Sequence, residues 1–226
     1  MEVLNAEKLV EKHFGEFEKF YNLLTERGKQ FNLTSIFERD EVYAKHFYDS
    51  AYPFFLFEEN AKIIEVGSGG GFPSVPLKIL RRDLDFTLLE ATGKKCTFLN
   101  EVKDLLEFEN FTVINGRAEE EGKGKLRETF DYAVARAVAP LRILLEYLMP
   151  LIKVGGRAVA YKGGSYAEEV KEAENAIKIL GGKIEKTIEY SLPNSYGERC
   201  VIVIKKEKLT PAKYPRGQGK EKKCPL

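Results

Sequence analysis

Apolar residues recur at helical spacing in the first 60 positions and in short strand-like runs after them. Seven of them, from Leu9 to Leu24, predict a helix over about Asn5–Gly28. A second helical segment is predicted over about Asp40–Ala51. The two segments predict a helical cap over residues 1–60 that precedes the first strand.

Beyond residue 60, short apolar runs alternate with helical periods. The runs predict seven strands, near 61–66, 85–90, 111–115, 130–135, 156–162, 184–190 and 199–205. The helical periods predict helices at Lys94–Leu106, Leu141–Leu151 and Tyr166–Leu180. Alternation of this kind predicts a mainly parallel sheet covered on both faces. The last two strands, joined without a helix, predict an antiparallel hairpin at one edge of this α/β domain, residues 61–206.

A glycine-rich loop follows the first predicted strand, and its spacing indicates the ligand class. It lacks both G-x-G-x-x-G and G-x-x-x-x-G-K-[ST], which disfavours a dinucleotide or a nucleoside triphosphate. Glu65, Gly67, Gly69 and Gly71 instead fit E-x-G-x-G-x-G, which resembles motif I of the S-adenosylmethionine (AdoMet) methyltransferases. A carboxylate near a sulfonium is favourable. Glu90 ends the second strand 23 residues beyond Gly67, an offset typical of an acid that binds ribose hydroxyls.

Two alternatives remain for this region. The loop could be a glycine-rich turn without a ligand. Glu90 could be a solvated strand end, although its offset from the glycine loop favours the ribose role.

Composition bounds the class of protein. A chain of 226 residues with 43% apolar residues suits one α/β domain with a short extension. No apolar run approaches the roughly 20 residues of a membrane span, and no signal-peptide pattern opens the chain. Three cysteines without a C-x-x-C pair and two distant histidines indicate neither a disulfide framework nor a metal site. We expect a reduced, cytoplasmic, metal-free protein.

Charge is distributed unevenly along the chain. Residues 205–226 carry eight basic and two acidic side chains, a net charge of +6, whereas the whole chain carries +1. A basic tail, residues 207–226, can follow a phosphate backbone and release counterions. The alternative is a disordered, solubilising terminus.

Eight motifs run in order through the chain from about residue 20 to its C-terminus. They are Asn32-Leu33-Thr34-Ser35, His46-Phe47-Tyr48-Asp49-Ser50, VGSGGGFPSVPL, LLEATGKKCTFL, NGRAEE, ARAVAP, YKGG and YPRGQGKEKKCPL. Together they resemble the bacterial RsmG (GidB) family, methyltransferases that modify N7 of a guanine in 16S ribosomal RNA. The seven strands with a closing hairpin likewise resemble the class I, Rossmann-like AdoMet-dependent methyltransferase fold.

The resemblance implies a set of cofactor contacts. Carried over by position, it places these residues around AdoMet: Gly67 and Phe72 at the pocket, Glu90, Ala91 and Thr92 on the ribose side, Ala118 and Glu119 beside the adenine, and Arg136 at the end of the fourth strand. The sequence departs from the family at Gly70, where many relatives carry Pro. Glycine there loosens the loop without removing a backbone donor.

The predicted chemistry can be checked against the residues after the fourth strand. Residues 135–140 read ARAVAP, without the [DN]-P-P-[YF] turn typical of amine methylation, and the chain has no Pro-Cys nucleophile for pyrimidine C5. Guanine N7 already has a lone pair and loses no proton. Its methylation needs alignment and charge placement rather than a base, so a site without an obvious base is expected.

Arg136 is the candidate for a residue that acts at the chemistry. Its guanidinium could bind guanine O6 or an RNA phosphate, or it could form a structural ion pair with Glu65 or Glu119. Lys162, which ends the fifth strand, and Arg117 are further candidates for RNA contacts.

Other RNA candidates lie in the cap and in the tail. His46 could contact substrate or pack on a helix. Asn32 could contact RNA or close the turn after the first helix. The basic tail adds Arg216, Lys222 and Lys223.

These observations predict a monomeric AdoMet-dependent methyltransferase that modifies a guanine N7 in 16S rRNA. The target base must lie in a loop or be unstacked to reach a buried methyl donor. One alternative is a methyltransferase of a small molecule or a protein, with an incidental basic tail. Another is a non-catalytic RNA-binding factor for ribosome assembly. An NAD-dependent oxidoreductase is disfavoured because the third fingerprint glycine is absent.

Overall fold

The computed structural model describes residues 6–164 and 166–226, so Asn5 lies outside the described residues. Seven strands form one sheet: β1 (Lys62–Val66), β2 (Asp85–Glu90), β3 (Phe111–Asn115), β4 (Phe130–Arg136), β5 (Ile152–Gly163), β6 (Gly182–Ser191) and β7 (Glu198–Lys206). The helices after the cap are α5 (Ser74–Leu80), α6 (Gly93–Leu105), α7 (Ala118–Glu121), α8 (Leu141–Leu148), α9 (Tyr166–Ile179) and α10 (Lys220–Lys223).

The strand order is β3-β2-β1-β4-β5-β7-β6. β1 to β5 pair with one another in parallel, and β7 is antiparallel to both β5 and β6. The predicted parallel sheet with an antiparallel edge hairpin is therefore confirmed. The order reverses beside β1, and α/β sheets bind ligands at the carboxyl ends of the strands at such a switch point.

Alternating strand residues face two different cores. Ile63 belongs to the core beneath the cap, whereas Ile64 belongs to the core beneath α8 and α9. This alternation is the two-residue period of a strand, and here both faces are apolar because helices cover both. Phe17 and Phe20 of the cap share the first core with the sheet. The cap thereby forms part of the wall above the strand ends.

The cap itself departs from the prediction of one long first helix. The structure has α1 (Ala6–Lys12) and α2 (Phe14–Phe31), separated at His13, whose φ of −106° and ψ of 24° are not helical. Apolar spacing continues across the break, so periodicity alone does not reveal it. The single-helix prediction is wrong in this respect.

The second helical segment of the cap is confirmed and contains an unexpected feature. Between α3 (Arg39–Val42) and α4 (Asp49–Ala51) the chain forms a π-helix, Tyr43–Tyr48. A π turn re-aims the side chains that follow it, and such turns are frequent at functional sites. It sits immediately before Asp49, which points into the site described below.

The C-terminal tail packs against the sheet domain, contrary to the alternative of a disordered terminus. Arg216 forms a bidentate ion pair with the buried carboxylate of Glu146, at 2.7 Å from Nη2 to Oε2. The buried carboxylate of Glu221 accepts the Tyr147 hydroxyl at 2.9 Å. A charged pair with one buried partner fixes position more firmly than a surface pair.

Candidate active site at the strand ends

The glycine loop between β1 and α5 has three left-handed residues. Gly67, Gly69 and Gly71 have φ values of +71°, +54° and +85°, conformations that favour glycine. A Cβ on Gly71 would lie 2.5 Å from Val75 Cγ2, so the loop is closely packed on its inner side. A Cβ on Gly69 would meet only the Gly67 carbonyl oxygen, at 3.9 Å. The outer side of the loop is therefore open to a ligand.

Glu90 ties this loop to the end of β2. Its Oε2 accepts the Gly69 N–H at 2.9 Å, and its Oε1 accepts the Thr92 N–H at 2.8 Å. A carboxylate has about four lone-pair sites, so each oxygen can also accept a ribose hydroxyl. Ala91 and Thr92 are exposed beside it. The ribose role of these three residues stays a prediction, and the structure adds an anchoring role for Glu90.

Glu65 lies fully buried beneath the glycine loop. Its Oε2 accepts the Ser74 N–H at 3.3 Å, whereas Oε1 has no hydrogen-bond partner among the described residues. Burial raises the pKa of Glu65 to about 8, although Ser74 and Arg136 oppose the shift, and the nearby Glu90 reinforces it. A buried acid with a free oxygen is suited to a cationic neighbour, since a nearby positive charge favours the ionised form.

The Phe72 side chain lies on the cap side of the loop. Its ring is 7% exposed, stacks on His46 with centroids 4.5 Å apart, and lies 4.9 Å from the Arg136 guanidinium carbon. The structure thus gives the ring a packing role between the cap and β4. Its predicted contact with AdoMet stays a prediction.

The predicted adenine segment follows β3. Ala118 is buried at the start of α7, and Glu119 is partly exposed. Arg117 precedes them, with 63% of its side chain exposed and Nη1 3.7 Å from Glu119 Oε1. Ala118 and Glu119 therefore follow the carboxyl end of β3, beside the carboxyl end of β2 at Glu90. Their contact with the adenine stays a prediction.

Arg136 forms an ion pair, but with a residue that the sequence did not indicate. Its Nη1 donates to Asp49 Oδ2 at 2.9 Å and to the Lys45 carbonyl oxygen at 2.9 Å. The alternative of a structural ion pair with Glu65 or Glu119 is therefore wrong in its partner. Both side chains are largely buried, with 13% of Arg136 and 6% of Asp49 exposed. Such a pair depends on good geometry and on further hydrogen bonds to offset the cost of desolvation.

Asp49 and His46 complete this network. The Tyr190 hydroxyl donates to Asp49 Oδ1 at 2.7 Å. Arg136 Nη2 lies 3.1 Å from His46 Nδ1, and His46 Nε2 lies 2.8 Å from Thr34 Oγ1. Burial, and then Arg136, lowers the pKa of His46 to about 3. The imidazole is therefore neutral at pH 7. Its Nδ1 also lies 3.1 Å from the Lys45 carbonyl oxygen, and because a guanidinium can only donate, we assign Nδ1 as the acceptor of Arg136 and Nε2–H as the donor to Thr34.

A cavity of about 540 Å³ opens beside this network at the carboxyl ends of β4 and β5. Its charged lining residues are Lys45, Asp49, Arg136, Lys162, Glu169 and Arg199. Four cations against two carboxylates favour an anionic or electron-rich ligand. A larger cavity, about 730 Å³, lies near Arg81 and Asp83, at the amino ends of β1 and β2. Those two side chains pair with each other, at 2.7 Å, away from the predicted chemistry.

The structure brings His46, Arg136 and Lys162 together around the smaller cavity and leaves the other predicted RNA contacts outside it. Asn32 is the left-handed C-cap of α2, with φ of 52°, and closes that turn through its backbone N–H to Gly28. Asn32 thus closes the turn through its backbone rather than through its side chain, and its contact with RNA stays a prediction.

The basic residues of the tail divide into two groups. Arg216 is paired with Glu146, whereas Lys222 and Lys223 are exposed on α10. Their contacts with RNA stay predictions.

Sequence reasoning did not single out four charged residues of this cavity, Lys45, Asp49, Glu169 and Arg199. Asp49 stood within a quoted motif, but no partner was evident. Arg199 is the second residue of β7, and only the antiparallel pairing of β7 with β5 places it opposite Gly163 at the cavity.

Comparisons with known proteins agree with the fold and the motifs. Residues 13–195 match the family model GidB, described as rRNA small subunit methyltransferase G. The chain is 44% identical over 221 residues to the Ribosomal RNA small subunit methyltransferase G of Staphylococcus aureus (strain JH9), covering 97% of this chain and 92% of that protein. It is also 44% identical over 231 residues to the protein of the same name from Exiguobacterium sp., covering 100% and 97%.

Solved structures are similar in fold at low identity. A SAM-dependent O-methyltransferase from Thermotoga maritima aligns with a TM-score of 0.57 and 14% identity, over 82% of this chain and 72% of that one. M. jannaschii TYW2 in complex with AdoMet aligns with a TM-score of 0.56 and 16% identity, over 69% and 72%. These likenesses support the class I methyltransferase fold. In the described part of the chain, no helix has the length and apolar character to cross a membrane, and no group of three or more His, Cys, Asp or Glu could hold a metal.

Proposed function

The chain belongs to the rRNA small subunit methyltransferase G (GidB) family, and on that premise we propose that it methylates N7 of a guanine in 16S rRNA. It is an AdoMet-dependent methyltransferase of small-subunit rRNA. The observation that carries the finer proposal is the position of Arg136. This residue lies between the glycine loop and the cation-rich cavity, at the switch point of the sheet. We also infer that the protein acts as a monomer in the cytoplasm.

The residues on the glycine-loop side fit AdoMet. The open outer side of Gly69 leaves room for a ligand against the backbone, and the unpartnered Glu65 oxygen suits a nearby cation. When bound, AdoMet supplies an electrophilic methyl group on a sulfonium. In this proposal Glu90, Ala91 and Thr92 bind the ribose side, and Ala118 and Glu119 flank the adenine.

Arg136 is suited to hold the target base as well as the network. A guanidinium has five N–H donors, and the contacts to Lys45, Asp49 and His46 use three of them. The remaining donors, on Nε and Nη2, can point to a purine O6 or to a phosphate. Because Asp49 and Tyr190 fix the ion pair, the guanidinium would meet the base in one orientation.

The contacts and the lowered pKa of His46 agree with a reaction that needs no general base. Both of its ring nitrogens are engaged, and its lowered pKa makes it a very weak base. The N7 lone pair attacks the methyl group directly, so the chain's residues only align the base and place charge around it. The target must be an unstacked or loop guanine, because a base that is stacked in a duplex cannot enter the cavity.

Transfer of tritiated methyl from AdoMet to RNA of small subunits that lack N7 methylation tests this proposal. We expect label in N7-methylguanosine of small-subunit RNA, and none in RNA that is already methylated or in large-subunit RNA. Label at another atom would discard the N7 assignment. Intact AdoMet binding without RNA labelling would favour a small-molecule or protein acceptor, and absent AdoMet binding would favour a non-catalytic RNA-binding factor.

Arg136→Ala should lower turnover by about 100-fold or more while AdoMet affinity changes little. Unchanged turnover would remove Arg136 from the active site.

A further inference from the structure

The segment that joins β4 to α8 forms a wall shared by the glycine loop and the cavity. Ala137, Val138 and Ala139 all line the cavity. Val138 also lies against Gly67, since a Cβ on Gly67 would be only 2.9 Å from Val138 Cγ2. A shift of this wall loop, residues 137–140, would therefore change the spacing between the cofactor loop and the target cavity.

The wall loop contains a strained residue. Ala137 has φ of +56°, in the left-handed region that residues other than glycine seldom adopt. Such a conformation persists only where surrounding contacts hold the chain in place, and it concentrates at functional sites. On the upstream side, Arg136 is fixed by Asp49 and by the Lys45 carbonyl oxygen.

On the downstream side, two residues outside the loop hold it. Lys162 Nζ donates to the Ala139 carbonyl oxygen at 2.9 Å and to Glu169 Oε2 at 2.6 Å. The same Glu169 oxygen accepts the N–H of Leu141, the first residue of α8, at 2.8 Å. Pro140 precedes that helix and has no side-chain acceptor, so Glu169 takes the place of an N-cap residue from a neighbouring helix.

These contacts account for the Lys162 ammonium group. Only 8% of its side chain is exposed, and two of its three donors point at the wall loop and at its anchor. A lysine that contacts RNA phosphates needs an exposed ammonium that can exchange its partners. The geometry therefore favours a role toward the protein's own backbone.

We propose that Lys162 and Glu169 are positioning residues that clamp the wall loop and so set the alignment of the target base with the methyl donor. This inference rests on the proposed methylation of rRNA. Although both side chains line the cavity, they act through Ala139, Leu141 and Val138 rather than by touching either reactant. Loosening the clamp should lower turnover and leave AdoMet affinity and RNA affinity close to those of the wild type.

Lys162→Met, Glu169→Gln and the double variant test the proposal in the full-length protein. Each single change should lower kcat by about 10- to 100-fold with KM for RNA little changed. The double variant should be no worse than the more damaging single variant, because both residues act on one loop. Deuterium exchange of residues 137–144 should be faster in all three variants. Glu172→Gln is the control, since Glu172 lies one turn along α9 and pairs loosely with Arg142 of α8, at 3.6 Å.

If Lys162 instead contacted RNA directly, the two single variants would change RNA binding in opposite directions. Lys162→Met would then lower the slope of log K against log salt by about 1, and Glu169→Gln would free the lysine and strengthen RNA binding. Either result overturns the clamp, as does faster exchange of the loop with unchanged kcat. A wild-type protein that does not label rRNA would refute the proposed function, whereas the exchange rates, which need no RNA, would still test whether the two residues hold the loop.

Discussion

The site at the carboxyl ends of the strands has two sides that are built in different ways. The cofactor side is the glycine loop with Glu90, and the target side is the cavity with Arg136 and Asp49. The cofactor side consists mainly of backbone and of contacts close in sequence, such as Glu90 to Gly69 across 21 positions. The target side consists of side chains brought from distant segments, with Arg136 and Asp49 separated by 87 positions and Tyr190 and Asp49 by 141. A site of the first kind appears in a motif. A site of the second kind appears only when the topology is known.

The difference also concerns energy. The N–H groups of the glycine loop cost little to bury because backbone carbonyls and the Glu65 and Glu90 carboxylates accept them. The Arg136–Asp49 pair buries two charges, which depend on Tyr190, His46 and the Lys45 carbonyl oxygen for compensation. A substitution on the target side should therefore lower both the free energy of unfolding and turnover. The effect of a substitution on the cofactor side should depend on whether the new side chain clashes with its neighbours.

Asp49→Ala should have the largest effect and tests the target side most directly. It leaves the Arg136 guanidinium and the Tyr190 hydroxyl without their acceptor in a buried setting. Breaking a buried pair in this way costs about 3–5 kcal/mol. Urea unfolding should show this loss of unfolding free energy, and turnover should fall with it.

The control for Asp49 is an ion pair at the surface. Glu172 and Arg142 are 54% and 39% exposed, and Glu172→Gln should cost less than about 1 kcal/mol. If Asp49→Ala were as mild as this control, the target side would not depend on its buried network, and the contrast between the two sides would fail.

The extent to which the sequence predicted this molecule follows the same division. The strand set, the edge hairpin and the glycine loop were predictable because each depends on local periodicity or on a contiguous motif. The partner of Arg136 was not, because the choice among Glu65, Glu119 and Asp49 depends on how a π-helix in the cap aims Asp49 over β4.

The tail shows the same limit. Its charge pointed to RNA, but the pairing of Arg216 with a buried Glu146 on α8 could not be derived from composition.

Gly71→Ala should have the next largest effect and tests how closely the cofactor side is packed. The new Cβ would lie 2.5 Å from Val75 Cγ2 at a φ of +85°, so both packing and backbone oppose it. We expect a loss of about 2–4 kcal/mol in unfolding free energy and weaker AdoMet binding, measured by titration calorimetry. Gly69→Ala is the matched comparison, because its Cβ makes ordinary van der Waals contact with the Gly67 carbonyl oxygen, at 3.9 Å, at a φ of +54°. It should cost only about 1–2 kcal/mol, and equal losses would contradict the packing argument.

Glu65→Gln should have a smaller, pH-dependent effect. The folded-state pKa of Glu65 is about 8 against an ordinary value of 4.5, so the folded protein holds a proton that the unfolded chain releases. The stability that this protonation contributes is present below pH 4.5 and is lost as the pH rises through about 8. The variant should lack this loss and exceed the wild type by about 1–3 kcal/mol near pH 8.5. Measurement of Tm from pH 5 to 9 checks this prediction. The control variant Glu172→Gln should retain the decrease in Tm with pH that the wild type shows. Parallel curves of Tm against pH for the wild type and Glu65→Gln would refute the buried, protonated carboxyl.

We expect the smallest effect from changes in the tail, which test whether RNA is also bound outside the cavity. Lys222 and Lys223 are exposed on a segment that Arg216 holds in place. If both contact phosphates, Lys222→Gln with Lys223→Gln should reduce the salt slope of RNA binding by about 1–2 and leave Tm unchanged. The paired change of Lys171 and Lys178 to Gln on α9 removes the same charge from exposed positions distant in sequence. An equal reduction in that control would mean that net charge, rather than these two contacts, governs binding, and RNA recognition would then rest on the target side.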